Sequence, residues 1–499
     1  MYVMAPQTGC TKLSPMNPSL SSIMNHHYDR ERDRTLPSSR ISELLGKYDR
    51  PGPRYTSYPP ATEFKTLTPQ DYLEALQERG DHALPSDPVS IYIHVPFCSS
   101  PCFYCGCNKV VTRNKNAARK YLDHLRKEMA LLRLQTNLHQ RPVTQLHLGG
   151  GTPTFLDDAE MTELIHHTAH YFNLVNHAGR DYSIEVDPRT VNLERVQLLR
   201  GLGFNRISLG IQDFDENVQR AINRQQSVES VRELTQAIRS SGFRSLNFDL
   251  IYGLPLQSLE SINATLRHVI ALSPDRISYY NYAHLPDRFP GQRAISAADI
   301  PSASVKLQML TSIIGTLTAA GYEYVGIDHF VKKSDPLAIA RKEGRLCRNF
   351  QGYSIDKATD LVGLGVSSIS STGLVFAQNA TKLEDYYLAL DMNQLPVARG
   401  LVSSVEDILR RAIIQQLTCY RSLDIETIEA EFGIDFAQHF RIALVELQQF
   451  ERDGLIAWTD SKNMIVTPEG ALLLRNLCMV FDEYLQRNSV ASPVFSRAI

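Results

Sequence analysis

Six short apolar runs, each ending in a polar or glycine residue and followed by an amphipathic stretch, constrain this chain more than any other feature. The runs are SIYIHVPF (90–97), TQLHLGG (144–150), YSIEVDP (182–188), RISLGIQ (206–212), SLNFDLIYG (245–253) and RISYYNYAH (276–284). Helical patterns follow at residues 117–134, 158–172, 193–202, 228–240, 259–272 and 304–319. β-Branched and aromatic runs that alternate with helices every roughly 30 to 50 residues predict βα units and a parallel sheet. Six units predict an open or partial (β/α) barrel, with a doubly wound open sheet as the rival. In both, chemistry gathers at the C-terminal ends of the strands. Cys98, Gly149, Gly150, Gly151, Thr152, Glu185, Gln212, Asp249 and Ala283 fall there.

The rest of the 499 residues frames this α/β core. Residues 1–48 read as a largely disordered extension, rich in Ser, Pro and Asn, with a short helix at 40–48. Prolines make GPRYTSYPPATEF (52–64) extended, within a segment (49–89) expected to pack on the barrel at 90–320. YEYVGIDHF (322–330) and GLGVSSISS (363–371) read as strands or loops covering the barrel, within 321–400. Residues 401–499 form a mainly helical domain, where helix, hairpin and helix follow one another as in a winged helix. That domain holds fourteen Asp and Glu against nine Lys and Arg, and the whole chain has a net charge of −2. Such a balance does not favour phosphate contacts with nucleic acid or an anionic membrane. No run of about 18 apolar residues marks a membrane span. The N-terminus lacks the basic start and apolar block of a secretory signal, so a cytoplasmic setting is expected.

Four of the eight cysteines crowd into CSSPCFYCGC, at Cys98, Cys102, Cys105 and Cys107. Structural zinc usually takes two separated pairs of thiolates, which this spacing does not give. Three thiolates at C-x3-C-x2-C spacing can grip three irons of a [4Fe–4S] cluster. The fourth iron then lacks a protein thiolate, unlike the iron of electron-transfer clusters, and is open to a small molecule. Zinc remains the alternative.

CSSPCFYC resembles the signature of the radical S-adenosylmethionine (SAM) superfamily. PRYTSYP, YIHVPFC, CGCNK, GGGTPT, IEVDPR, GFNRISLGIQDF, IYGLP, NYAHLP, RNFQGY and RNLCMVFDEYL occur in order over about residues 50–499. Together they resemble the oxygen-independent coproporphyrinogen III oxidases of haem biosynthesis. The resemblance implies a partial (β/α)6 radical SAM barrel. It implies a [4Fe–4S] cluster on Cys98, Cys102 and Cys105, and two SAM molecules. Tyr92, Tyr104, Gly150, Gly151, Thr152, Glu185, Gln212, Arg224, Asp249, Ala283 and Ile369 are the implied SAM contacts. Cys107 is a candidate catalytic residue beside SAM. The implied chemistry is a 5′-deoxyadenosyl radical that takes hydrogen from two propionates of coproporphyrinogen III, giving vinyl groups and CO2. Arg54 and Arg348 are candidates for substrate carboxylates. A flavodoxin or ferredoxin is the implied electron donor, and the implied state is a monomer without nucleic-acid or membrane partners. A haem-binding chaperone of the same superfamily is the alternative. Such relatives usually lack the CGC element and resemble this chain less beyond the barrel.

Overall fold

The structure, a computed structural model, describes residues 37–355 and 360–487. Each expected run forms a strand and each amphipathic stretch a helix. In chain order these are β1 (Val89–Val95), α1 (Asn116–Gln135), β2 (Pro142–Gly150), α2 (Asp158–Tyr171), β3 (Asp181–Val186), α3 (Leu193–Gly201), β4 (Arg206–Gln212), α4 (Val228–Ser240), β5 (Ser245–Tyr252), α5 (Leu259–Leu272), β6 (Arg276–Asn281) and α6 (Ala303–Ala319). Asp157, Ser227 and Ser258 cap α2, α4 and α5 by accepting a backbone N–H three residues on, which fixes where those helices begin. The six strands pair parallel in sequence order. The order never reverses, so the curved partial barrel prevails over the doubly wound sheet.

The two later segments extend this sheet at its edges. β7 (Tyr322–Gly326) and β8 (His329–Lys332) continue it antiparallel beyond β6. β9 (Asp360–Leu364) lies parallel to β1, and β10 (Ile369–Thr372), β11 (Val375–Asn379) and β12 (Val397–Val402) follow antiparallel.

Parallel strands covered on both faces usually read as continuous apolar runs. These alternate. Leu146, Leu148, Ile184, Ile207, Leu209, Leu246, Phe248 and Ile277 face the helices and belong to the main core. Gln145, His147, Ser183, Ser208, Asn247, Asp249 and Ser278 line a small cavity of about 180 Å³ inside the barrel. The inner face is therefore polar, and the barrel floor is hydrogen-bonded rather than packed with branched apolar side chains as in a closed TIM barrel.

A buried carboxylate joins the edge strands to the barrel. Glu128 on α1 accepts hydrogen bonds from the Gly365 N–H (2.8 Å), the Asn379 amide (2.6 Å) and the Tyr386 hydroxyl (2.7 Å). Tyr121, two turns earlier on the helix, donates to the His94 carbonyl (2.6 Å) and accepts from the Val366 N–H (3.1 Å).

The C-terminal domain has helices and a three-stranded antiparallel sheet, with the hairpin Ile456–Trp458 and Asn463–Val466 as its wing. The helix expected at 40–48 runs Ser38–Tyr48, and its buried Ile41, Leu44 and Tyr48 share that domain's core. Tyr48 donates to Asp453 (2.7 Å), and Lys47 pairs with the same carboxylate (2.6 Å). These contacts place residues 38–48 in the folded body rather than in the extension; residues 1–36 lie outside the described residues. No helix among the described residues is long and apolar enough to cross a membrane.

Glu128→Ala takes the acceptor from the buried Gly365 N–H and Tyr386 hydroxyl, while the Asn379 amide keeps the Gly365 carbonyl and Ser368, and a loss of about 3 kcal/mol is expected in chemical denaturation. Burial raises the Glu128 carboxyl to about 7, against its three hydrogen bonds. An acid raised in the folded state makes folding less favourable once the unfolded chain ionises. This residue's contribution to stability should therefore fall as pH rises from about 4.5 through about 7. The fall should be absent in Glu128→Ala.

Candidate active site

The cysteine loop leaves the end of β1 and the glycine loop leaves the end of β2. Backbone hydrogen bonds stitch the two together: Gly151 N–H to the Val95 carbonyl (2.8 Å) and Thr152 N–H to the Phe97 carbonyl (2.9 Å). The approach is too close for a side chain. A Cβ on Gly151 would lie 2.7 Å from the carbonyl group of Pro96. Gly150 has φ +116°, and a Cβ there would meet the His94 ring at 2.7 Å.

Beyond this seam opens a cavity of about 520 Å³. Its walls carry Cys98, Cys102, Cys105, Cys107 and Tyr104 from the cysteine loop, and Gly150, Gly151 and Thr152 from the glycine loop. Glu185, Gln212 and Asp249 complete them from the following strands, and Arg224 from the connection beyond β4. Gln212 has φ +68°, a left-handed conformation that turns its side chain at the end of β4. Three expected contacts lie elsewhere. Tyr92 stacks on His147 (5.7 Å between ring centres) and bonds His94 through its hydroxyl (3.0 Å), so it meets the cavity only through its neighbours. Ala283 lines an adjoining, wider cavity. Ile369 sits on β10 opposite Gln378, outside both linings.

The charges are paired with care. Asp187 accepts from Arg224 (2.7 Å) and Arg189 (2.8 Å), and both guanidinium groups also face the Cys102 sulfur (3.6 and 3.8 Å). Burial opposes charge on Asp187, but the two arginines prevail and hold it below the usual carboxylate range. Arg224 also donates to the Gly210 carbonyl (2.7 Å), while its buried Nε has no partner. Glu185 is likewise opposed by burial, yet lies below its usual range through His147 (3.2 Å) and the Gly150 N–H (3.2 Å). Asp249 goes the other way. Burial, helped by the charge of Glu185, pushes it up to about 6, although Ser208 (2.5 Å) and Asn247 (2.9 Å) donate to it.

The thiols divide. Burial raises Cys98, which lies 3.5 Å from the Thr152 hydroxyl. A hydrogen bond from Cys107 lowers Cys105 to about 6, and that same bond holds the Cys107 thiol well above its ordinary value. Cys107 also lines the wider cavity, as do Tyr104 and Cys105. It stands where the two spaces meet.

Asp187, Arg189, Lys109 and Tyr280 also line these walls and were not singled out from sequence. IEVDPR held the signal for the first two: an acid and a base two residues apart just past a strand end. Lys109, in CGCNK, donates to the Cys105 carbonyl (3.0 Å) and anchors the end of the cysteine loop. Arg348 is buried and donates to the carbonyls of Tyr55 (3.2 Å) and Ile327 (3.4 Å). It holds the 52–64 segment in place and does not line the wider cavity.

The donor set suits an iron–sulfur cluster and SAM. Three thiols on one loop open onto one cavity, with close backbone, acidic strand ends and an orphaned guanidinium N–H opposite. A family model for the radical SAM superfamily matches residues 92–269, and one for the HemN C-terminal domain matches residues 404–473. The barrel and this cavity are those of a radical SAM enzyme, an oxidoreductase using a [4Fe–4S] cluster and SAM.

The chain is 47% identical over 459 residues to the oxygen-independent coproporphyrinogen III oxidase of Pseudomonas aeruginosa, covering 92% of this chain and 98% of that one. It is 44% identical over 463 residues to the Escherichia coli protein of the same name, covering 91% and 98%. A solved structure of coproporphyrinogen III oxidase (HemN) from Escherichia coli, described as a radical SAM enzyme, superposes with a TM-score of 0.82 at 44% identity, covering 86% of this chain and 97% of that one. The chain belongs to the family of oxygen-independent coproporphyrinogen III oxidases. The chaperone reading gains nothing from these relatives.

Gly151→Ala forces apart the seam between the cysteine and glycine loops. SAM cleavage to 5′-deoxyadenosine should fall by more than about 10-fold, since misplacement of about 1 Å can cost 100-fold. Product quantification by chromatography, at matched iron content, checks this.

Proposed function

We propose that this chain converts coproporphyrinogen III to protoporphyrinogen IX without oxygen. In this reading Cys98, Cys102 and Cys105 hold the cluster and two SAM molecules share the adjoining cavity. The observation that carries it is the gathering of the three thiols, the glycine loop, three polar strand residues and Arg224 around one space, with a second, wider space beside it. When bound, the cluster and SAM supply a one-electron cleavage that yields the 5′-deoxyadenosyl radical.

The residues then have distinct tasks. Gly150, Gly151 and Thr152 present backbone to SAM at close range. Glu185 and Asp249 offer carboxylate oxygens to ribose hydroxyls or an ammonium group. Arg224 offers its unpartnered Nε–H to a carboxylate, and Gln212 an amide. Tyr104 gives an aromatic face for adenine. Tyr92, stacked on His147, steadies the group that holds Glu185. Ala283 meets ligand from the side of the wider cavity, and Ile369 acts through the strand beside β9. Cys107 stands between the spaces, unneeded as a ligand and suited to act near SAM in hydrogen or electron transfer.

The electron donor in this reading is a flavodoxin or ferredoxin, and the protein acts as a cytoplasmic monomer. The acidic balance of its C-terminal domain argues against nucleic acid or an anionic membrane as partner.

Anaerobic reconstitution with iron and sulfide, then reductant, SAM and coproporphyrinogen III, should give methionine, 5′-deoxyadenosine, CO2 and the divinyl product. SAM cleavage without CO2 would refute the reading. Cys98→Ala, Cys102→Ala and Cys105→Ala should each lose cluster absorbance. Cys107→Ala should keep it while losing product, and loss of the cluster there would overturn the division of the thiols.

Asp249 gives a pH signature. Its carboxyl lies at about 6, so it becomes neutral as pH falls through that value. SAM affinity measured by equilibrium dialysis should weaken between about pH 7 and about pH 5. Asp249→Asn should show the weaker affinity throughout that range with a flattened profile.

A further inference from the structure

The wider cavity, about 1080 Å³, exceeds the ~300–1,000 Å³ usual for a small-molecule site. One end is walled by Tyr104, Cys105 and Cys107, so it opens directly beside the cysteine loop. Ile251, Leu285, Phe289 and Tyr280 supply apolar and aromatic surface. Against these walls stand three arginines, Arg54, Arg288 and Arg399, and one acid, the exposed Asp287.

In the neighbouring cavity Arg224 and Arg189 are neutralised by Asp187. Among the described residues Arg54, Arg288 and Arg399 have no such carboxylate. Arg54 donates to the Asn281 carbonyl (2.9 Å), Arg399 donates to the Gln378 side-chain oxygen (2.6 Å), and Arg288 lies over the Phe289 ring (5.6 Å). Burial and the nearby Arg475 disfavour the charge of Arg54, and burial and Arg288 disfavour that of Arg399. Asp328, the acid nearest Arg54 in effect, is taken up by Arg475, and Asp287 is exposed, so an anionic ligand would settle these arginines at an otherwise largely apolar cavity.

We propose that Arg54, Arg288 and Arg399 hold the propionates of the tetrapyrrole that are not reacting. The inference rests on the proposed function and adds the residues that read the substrate's carboxylates. Coproporphyrinogen III carries four propionates, and one at a time must enter the neighbouring cavity. Three remain, matched by three arginines without acid partners. Arg54, half-buried and tied to the end of β6, is the inner anchor. Arg288, exposed in the loop after β6, and Arg399, on β12, line the same cavity and serve as the outer contacts. After the first decarboxylation three carboxylates are left: one to present and two to hold. The one-vinyl intermediate should therefore bind less tightly than the substrate.

The test uses the full-length reconstituted protein, with coproporphyrin III as an air-stable fluorescent probe and its tetramethyl ester as the uncharged control. Arg54→Gln and the double variant Arg288→Ala/Arg399→Ala are prepared at matched iron content. Each lost arginine should raise the Kd for coproporphyrin III, and the KM for coproporphyrinogen III, about 10-fold. The ester should bind weakly and alike to all forms, and Arg→Lys should restore part of the affinity. Should Arg54→Gln fail to fold, the double variant still decides. Variants whose Kd and KM stay within about twofold of the unsubstituted protein, while that protein decarboxylates coproporphyrinogen III, overturn this assignment alone. An unsubstituted protein that cleaves SAM and releases no CO2 overturns the function on which it rests.

Discussion

The site depends on the backbone seam between the ends of β1 and β2. Two hydrogen bonds, Gly151 to Val95 and Thr152 to Phe97, fix the cysteine loop against the glycine loop. No side chain fits into that seam, which is why glycine occupies it. Once the seam is set, the three thiols face one space and the polar ends of β3, β4 and β5 close it from the other side. The edge strands serve the same seam from behind. Tyr121 binds the His94 carbonyl at the end of β1 and the Val366 N–H beyond β9, so the extended sheet buttresses the loop junction.

The barrel's polar lining follows from the ligands it must hold. A closed barrel of the usual kind fills its interior with branched apolar side chains. This one places serine, histidine, asparagine and aspartate on the inner face, in two hydrogen-bonded groups, His147 with Ser183 and Ser208 with Asn247 and Asp249. Satisfied polar groups cost little when buried, and they leave Glu185 and Asp249 fixed in place at the rim. The two carboxylates differ because their neighbours differ. Glu185 has a histidine and a backbone N–H, whereas Asp249 has neutral donors and the charge of Glu185.

Much of this was legible in the sequence, for local reasons. The six strands and their helices came from periodicity, and the observed strand order decided between the partial barrel and the doubly wound sheet. The cysteine spacing pointed to a cluster with an open iron, and family motifs named most of the cavity wall. What stayed hidden depended on packing across long separations. The edge strands at 322–332 and 360–402 carry no βα rhythm and find their places by pairing with β6 and β1. Asp187 and Arg189 sit in IEVDPR, but their use depends on Arg224, which arrives from beyond β4. Arg348 looked like a free cation in RNFQGY. Its neighbours Tyr55 and Ile327 come from remote parts of the chain, and only the fold shows that it secures backbone.

The N-terminal segment explains why a barrel of this kind carries a C-terminal domain. Residues 52–64 run between the two bodies and form one wall of the wider cavity. Its prolines favour an extended backbone, and contacts from outside the segment fix where it lies. Tyr55 donates to Asp482 (2.9 Å), Tyr58 accepts from the Glu483 N–H (3.1 Å), and Arg411 binds the Tyr58 carbonyl (2.7 Å), all from the C-terminal domain. Arg54 then binds the barrel through Asn281. The C-terminal domain therefore acts as the outer jaw of a clasp, with the segment as the strip it grips. An acidic winged helix makes sense in that role. Its charge is set against phosphate, while its buried polar groups are directed inward at the segment that closes the cavity.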